Sequence, residues 1–301
     1  MWQTAIICAK GDIMPSLHAA IATPLNDHGA LNKIAFGQLI RHLEALGLDG
    51  IVPCGTTGEG PSFSVPERLD IITTAIAHRG SLQVMAGTGC QSLTDTISLT
   101  NASLLAGADS ALVLPPFFYK QSGEAGVIAW YRAVCDALPP GGRIVLYHIP
   151  PMTGVPITTT VIDALLSSHA QCIEGIKDSA VDAVHTRMLC TRYPQLKIYT
   201  GNAPLLGQAI IDGAAGSILA IANIVPKSLR LLTDHPDRQD VQQQVAQVDA
   251  YVRKVGAVAT IKAILNQTES LALGRPCLPQ LPHPNPTQAY AEFKAIGTYT
   301  E

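Results

Sequence analysis

The chain has 301 residues, of which 47% are hydrophobic and 14% charged, and its net charge is −3. This balance is typical of a compact fold with much buried surface and excludes intrinsic disorder. The sequence lacks the clustered Lys and Arg of a nucleic-acid-binding protein, and it has no run of 18 apolar residues that would predict a membrane span.

From about residue 16, short apolar segments alternate with longer segments of helical periodicity. The predicted strands are 17–23, 50–54, 82–86, 110–114, 143–149, 173–177, 196–200 and 216–220. The helices predicted between them are 34–46, 66–78, 93–105, 124–138, 159–166, 181–193 and 203–211. Continuous apolar strands are buried on both faces, so this α/β pattern predicts a closed (β/α)8 TIM barrel. An open doubly wound sheet is the alternative, but no GxGxxG follows the first strand.

The last part of the chain reads as helical, with helices predicted at 226–232, 238–267 and 287–295. We therefore assign residues 16–225 to the barrel. Residues 226–301 are assigned to a C-terminal helical subdomain that packs on it.

The seven cysteines are scattered without a CxxC pair, and the nine histidines lack the spacing of metal ligands on one helix face. An odd number of widely spaced cysteines is typical of thiols in a reducing compartment. The sequence therefore predicts a cytoplasmic protein without a metal site.

Lys177 is the most informative residue, because it is the one lysine of nine near the carboxyl end of an apolar predicted strand, whereas Lys197 begins its strand. Active sites of such barrels lie at the carboxyl ends of the strands. Burial favours the neutral amine of a lysine, which can attack a ketone and form an iminium that acts as an electron sink. The alternative is a buried ion pair with Asp178 or Glu174.

Two further groups lie at the carboxyl ends of other predicted strands. Tyr147 ends the fifth predicted strand, where its phenol suits proton transfer, although a packing role is the alternative. After the second strand, Thr56 and Thr57 lie in a glycine turn whose N–H and O–H groups suit a carboxylate. An ordinary turn is the alternative there.

These motifs, in this order, resemble the dihydrodipicolinate synthase / N-acetylneuraminate lyase family of pyruvate-dependent class I aldolases over about residues 16–270. The motifs are Gly55-Thr56-Thr57-Gly58-Glu59, Ala86-Gly87-Thr88-Gly89, Tyr147-His148-Ile149-Pro150 with Thr153-Gly154, and Gly175-Ile176-Lys177-Asp178.

The resemblance implies that Lys177 forms the Schiff base and that Tyr147 relays protons. It implies that Thr56 and Thr57 bind the pyruvate carboxylate, with Thr57 also in the relay. Gly201 and Ile218 match positions whose backbone lines the pocket. A homotetramer built from tight dimers and no cofactor beyond the lysine imine are further implications.

Two positions depart from the family pattern. Met152 occupies the position where true synthases carry an arginine for the second substrate's carboxylate, and a thioether cannot replace a guanidinium. Phe118 aligns with a tyrosine that reaches across the tight dimer, and Tyr119 follows it.

We therefore expect a lyase that cleaves or forms a 2-keto-3-deoxy sugar acid or a similar 2-oxo acid. The alternatives are a dehydratase or deaminase, the dihydrodipicolinate synthase itself, and a non-catalytic protein that binds 2-oxo acids.

Overall fold

The computed structural model describes residues 14–267 and 271–297 and contains a closed barrel of eight parallel strands. The strands are β1 (Ser16–Ala19), β2 (Gly50–Ile51), β3 (Gln83–Gly87), β4 (Ser110–Val113), β5 (Ile144–His148), β6 (Ile173–Asp178), β7 (Lys197–Thr200) and β8 (Gly216–Leu219). Each strand pairs with the next one along the chain, and β8 pairs with β1 to close the barrel. The predicted TIM barrel is confirmed.

Helices surround the barrel. They are α1 (Lys33–Ala45), α2 (Val65–His78), α3 (Leu93–Leu105), α4 (Gly123–Asp136), α5 (Pro150–Thr153), α6 (Thr159–His169), α7 (Ala183–Arg192) and α8 (Leu206–Ile211). Side-chain caps fix several starts, such as Ser64, which forms a capping box with Glu67 before α2. Helix α7 begins later than predicted, because Asp182 caps it and Val181 has a left-handed φ of 59°. The short α5 is absent from the prediction.

The inside of the barrel is filled by side chains that alternate along the strands. These inner residues are Ala20, Val52, Met85, Leu112, Val145, Tyr147, Tyr199 and Ile218. Two larger apolar clusters lie outside the barrel, between the strands and the helices. A side chain that points inward near the carboxyl end of a strand therefore contacts this apolar inner cluster.

The barrel seam between β8 and β1 is tied by Asn223, which is 1% exposed. Its Nδ2 donates to Ala20 O at 2.9 Å, and its Oδ1 accepts from Ala22 N–H at 3.0 Å. One side chain thus satisfies both backbone groups beyond the end of β1, where the regular ladder stops.

Four helices follow the barrel: α9 (Pro226–Asp234), α10 (Gln239–Val255), α11 (Ala257–Leu265) and α12 (Pro286–Ile296). The single helix predicted at 238–267 is wrong, because the chain breaks at Gly256, whose φ is 131°. The break lets α11 turn inward, and eight of its nine residues, 258–265, are buried. The start of the chain, including Cys8, lies outside the described residues. Within the described ranges, no helix has both the length and the apolar character needed to cross a membrane.

Candidate active site

Lys177 lies on β6 between two tyrosines of the neighbouring strands. It is in register with Tyr147 on β5 and with Tyr199 on β7, and it is 4% exposed. Gly175, two residues earlier, is required by the neighbouring strand. A Cβ there would meet Lys197 O at 2.1 Å, so this glycine permits the close approach of β6 and β7.

A chain of polar contacts runs from Lys177 to the turn after β2. Lys177 Nζ lies 3.4 Å from the hydroxyl of Tyr147, and that hydroxyl lies 3.1 Å from Oγ1 of Thr56. The ammonium also lies 4.5 Å from the centroid of the Tyr147 ring. The hydroxyl next to Tyr147 belongs to Thr56, whereas the resemblance implied Thr57 for the relay. Thr57 is buried in the same turn, with 5% exposure.

The turn that carries Thr56 and Thr57 is held by its own backbone. Glu59 N–H donates to Thr56 O at 3.2 Å, and Gly60 N–H donates to Gly55 O at 3.1 Å. At Gly60 a Cβ would meet Cys54 O at 2.1 Å, so only glycine fits this close approach. The two threonines are therefore presented by a tight turn rather than by a loose loop.

The other residues assigned to substrate binding fall into two groups. Ile218 belongs to the inner cluster with Tyr147, and Gly201 follows β7, where its N–H donates to Asp178 O at 2.7 Å. A Cβ at Gly201 would meet Ser179 Oγ at 2.0 Å. Met152 lies on α5 and is 66% exposed.

Tyr199 is an inner residue that the sequence analysis did not consider. Burial raises the pKa of its phenol, so the group stays protonated near neutral pH. The sequence could have indicated an inward-facing Tyr199, because it alternates with Ile198 on the strand next to that of Lys177. The structure therefore places a second phenol beside the lysine.

Behind Lys177, Asp178 points to the opposite face of β6, as its alternation predicts. Its Oδ2 accepts from Thr186 Oγ1 at 2.7 Å and lies 3.1 Å from Nδ1 of His185. Burial opposes ionisation of Asp178, but these hydrogen bonds outweigh it and hold the pKa of the carboxyl below its usual value. The hydrogen bond to Asp178 in turn raises the pKa of His185.

His148, one residue after Tyr147, also faces the helices. Its ring stacks on His185 with centroids 4.7 Å apart, and its Nδ1 accepts from Ile157 N–H at 3.0 Å. Burial lowers the pKa of His148 to about 4. His148, Asp178 and His185 lie close enough to hold a metal ion. Their atoms are engaged in the hydrogen bonds above, so we interpret the group as support for β6.

Comparison with known proteins shows which family this chain resembles. The Dihydrodipicolinate synthetase family matches residues 14–295. An "Uncharacterized DapA-like lyase" of Chloroflexus aurantiacus is 45% identical over 269 residues, which are 87% of this chain and 90% of that protein. A 4-hydroxy-tetrahydrodipicolinate synthase of Corynebacterium diphtheriae is 31% identical over 88% of each chain. The structure of YagE of E. coli K12 in complex with pyruvate has a TM-score of 0.86, 25% identity, and coverage of 95% and 99%.

A parallel barrel with a buried lysine and tyrosine on adjacent strands, together with these relatives, defines a carbon–carbon lyase. The chain belongs to the dihydrodipicolinate synthetase family. The resemblance drawn from the four motifs is confirmed.

We expect His185→Ala to lower the free energy of unfolding by about 1.5–3 kcal/mol near pH 5.5, the usual contribution of a hydrogen bond to a charged group. The loss should be smaller near pH 8.5. Because the folded-state pKa of His185 is raised, its contribution is fully present below the ordinary pKa of 6.5 and is lost as pH rises through the folded-state value. Urea unfolding at both pH values measures this, with exposed His28→Ala as the control. An equal loss at both would contradict it.

Proposed function

We propose that the protein is a class I lyase that forms a Schiff base between Lys177 and the keto carbon of a 2-oxo acid. The observation that carries the proposal is the buried contact of Lys177 with Tyr147, which in turn contacts Thr56. Within the described ranges, Lys177 forms no ion pair with a carboxylate, and this argues against the alternative of a buried ion pair with Asp178 or Glu174. The pyruvate complex of YagE supports pyruvate as the ketone half.

The proposed reaction follows from these neighbours. The neutral amine of Lys177 adds to the keto carbon, and loss of water gives the iminium, with Tyr147 passing the protons. A base takes the proton of the C4 hydroxyl, the C3–C4 bond breaks, and its electron pair moves through C3 into the iminium. An aldehyde leaves, and the remaining enamine takes a proton at C3 and is hydrolysed to pyruvate. The residues of the chain suffice for these steps, so we propose no cofactor.

The proposed substrate class is the 2-keto-3-deoxy sugar acids or similar hydroxylated 2-oxo acids. The turn of Thr56 and Thr57 would take the carboxylate, with Gly201 and Ile218 beside the bound pyruvate carbons. Met152 offers no fixed positive charge for a second carboxylate, which disfavours the synthase reaction of the Corynebacterium relative. Elimination of water or ammonia from the same iminium would make the enzyme a dehydratase or deaminase, so product analysis decides among these.

We further propose that the protein works as a homotetramer in the cytoplasm. Phe118 and Tyr119 are 61% and 76% exposed on the loop after β4, and such rings suit contact with a second copy. Sedimentation velocity should give four times the chain mass. A monomer at micromolar concentration would contradict the assembly.

We expect incubation with pyruvate and borohydride to attach a reduced pyruvate to the peptide that contains Lys177, because reduction traps the imine. Peptide mass spectrometry detects the adduct. Lys177→Ala should give none, whereas the exposed-lysine control Lys227→Ala should react like the unmodified protein. An adduct on another lysine would reject the assignment, and no adduct with any 2-oxo acid would favour a non-catalytic binding protein.

We expect Tyr147→Phe to lower kcat about 10²–10⁴-fold, the usual contribution of a positioned acid–base group. The fold should be kept, since the ring and its packing remain. Steady-state cleavage of the best 2-keto-3-deoxy acid measures the loss. The matched control is Tyr251→Phe, which removes a hydroxyl that donates to Ala289 O, far from Lys177 in sequence and outside the inner cluster. A Tyr147→Phe variant with full kcat would remove Tyr147 from the proton path.

A further inference from the structure

A second buried lysine, Lys262, lies on α11 and is 1% exposed. Its Nζ lies 2.7 Å from Oε1 of Glu59, whose side chain is fully buried. Lys262 also donates a hydrogen bond to Arg275 O at 3.0 Å, and Glu59 Oε2 accepts from Cys277 N–H at 2.5 Å.

Glu59 belongs to the same turn as Thr56 and Thr57. Its backbone N–H closes that turn on Thr56 O, and its φ of 57° is left-handed, a region that residues with a side chain seldom adopt. A strained backbone position persists only where its surroundings hold it. Here the carboxylate of Glu59 is held from outside the turn, by a helix more than 200 residues further along the chain.

A buried ion pair is weak support for overall stability, because desolvation of both charges offsets their attraction. Burial indeed lowers the pKa of Lys262, while Glu59 opposes the shift. What the pair does supply is geometry, since in the described part of the chain neither buried charge has another ionic partner. We propose that the Glu59–Lys262 pair is a positioning device that holds the turn of Thr56 and Thr57 in the form that binds the substrate carboxylate.

The inference rests on the proposed function. It gives α11 a role in positioning the substrate-binding turn that the other C-terminal helices do not share. Lys262 is the one charged side chain among the nine residues of α11. Glu59 has no second ammonium or guanidinium within ion-pair distance in the described part of the chain. Loss of Lys262 would therefore leave an unpaired carboxylate two residues from Thr57, where an anionic substrate has to bind.

The test compares Lys262→Met with the double variant Glu59→Gln, Lys262→Met, which removes both charges with little change in shape. The double variant keeps the test valid if the single variant fails to fold. Lys254→Met, at an exposed position of α10, is the matched control. Borohydride trapping over a range of pyruvate concentrations gives the half-saturating concentration and the limiting rate. Hydrogen exchange without ligand reports on residues 54–63 against the helices of the barrel.

We expect the double variant to raise the half-saturating pyruvate concentration about tenfold or more, as misplaced binding groups do, and to change the limiting rate less than about twofold. Exchange in residues 54–63 should be faster by a similar factor, with the other helices unchanged. Unchanged half-saturation or unchanged exchange in 54–63 would overturn the proposal, as would faster exchange throughout the protein. If the unmodified protein gives no adduct, the proposed function fails, and the exchange result alone decides whether the pair holds the turn.

Discussion

Closure of the barrel is the constraint on which the site depends. Lys177, Tyr147 and Thr56 come from segments far apart in the chain, and they meet because parallel strands in one ring present their carboxyl ends at one rim. The ring closes only because backbones approach at positions without a side chain, as Gly175 shows beside β7. The site is therefore a property of the whole ring rather than of any one motif.

Two buried lysines show how the same side chain can serve different purposes. Lys262 lies against the carboxylate of Glu59, so its charge is matched in place. Lys177 lies against the hydroxyl of Tyr147, and a hydroxyl can accept a hydrogen bond from an ammonium or donate one to a neutral amine. A lysine that must become a nucleophile is better placed beside a phenol than beside a carboxylate, since a carboxylate would favour the ammonium.

Much of the fold could be predicted from the sequence, because the alternation of apolar strands and periodic helices is a local signal. The inward direction of Lys177 and the outward direction of Asp178 and His148 also followed from the pleat. The contact of Tyr147 with Thr56 rather than Thr57 could not be predicted, since it depends on the path of a tight turn. The break at Gly256 was missed because the valine periodicity continues on both sides of it. The partnership of Glu59 with Lys262 was hidden by a separation of more than 200 residues, and no local pattern reports such a contact.

The pleat of β6 has a consequence for how this enzyme can change over evolutionary time. Lys177 faces the inner cluster, and Asp178, one residue later, faces the histidines. Insertion or deletion of one residue in this strand would exchange the two faces, placing a carboxylate in the pocket and an amine against His185. A one-residue change in the length of β6 would therefore have to be absorbed by a bulge, as Glu174 is where β6 pairs with β5, for Lys177 to keep facing the inner cluster.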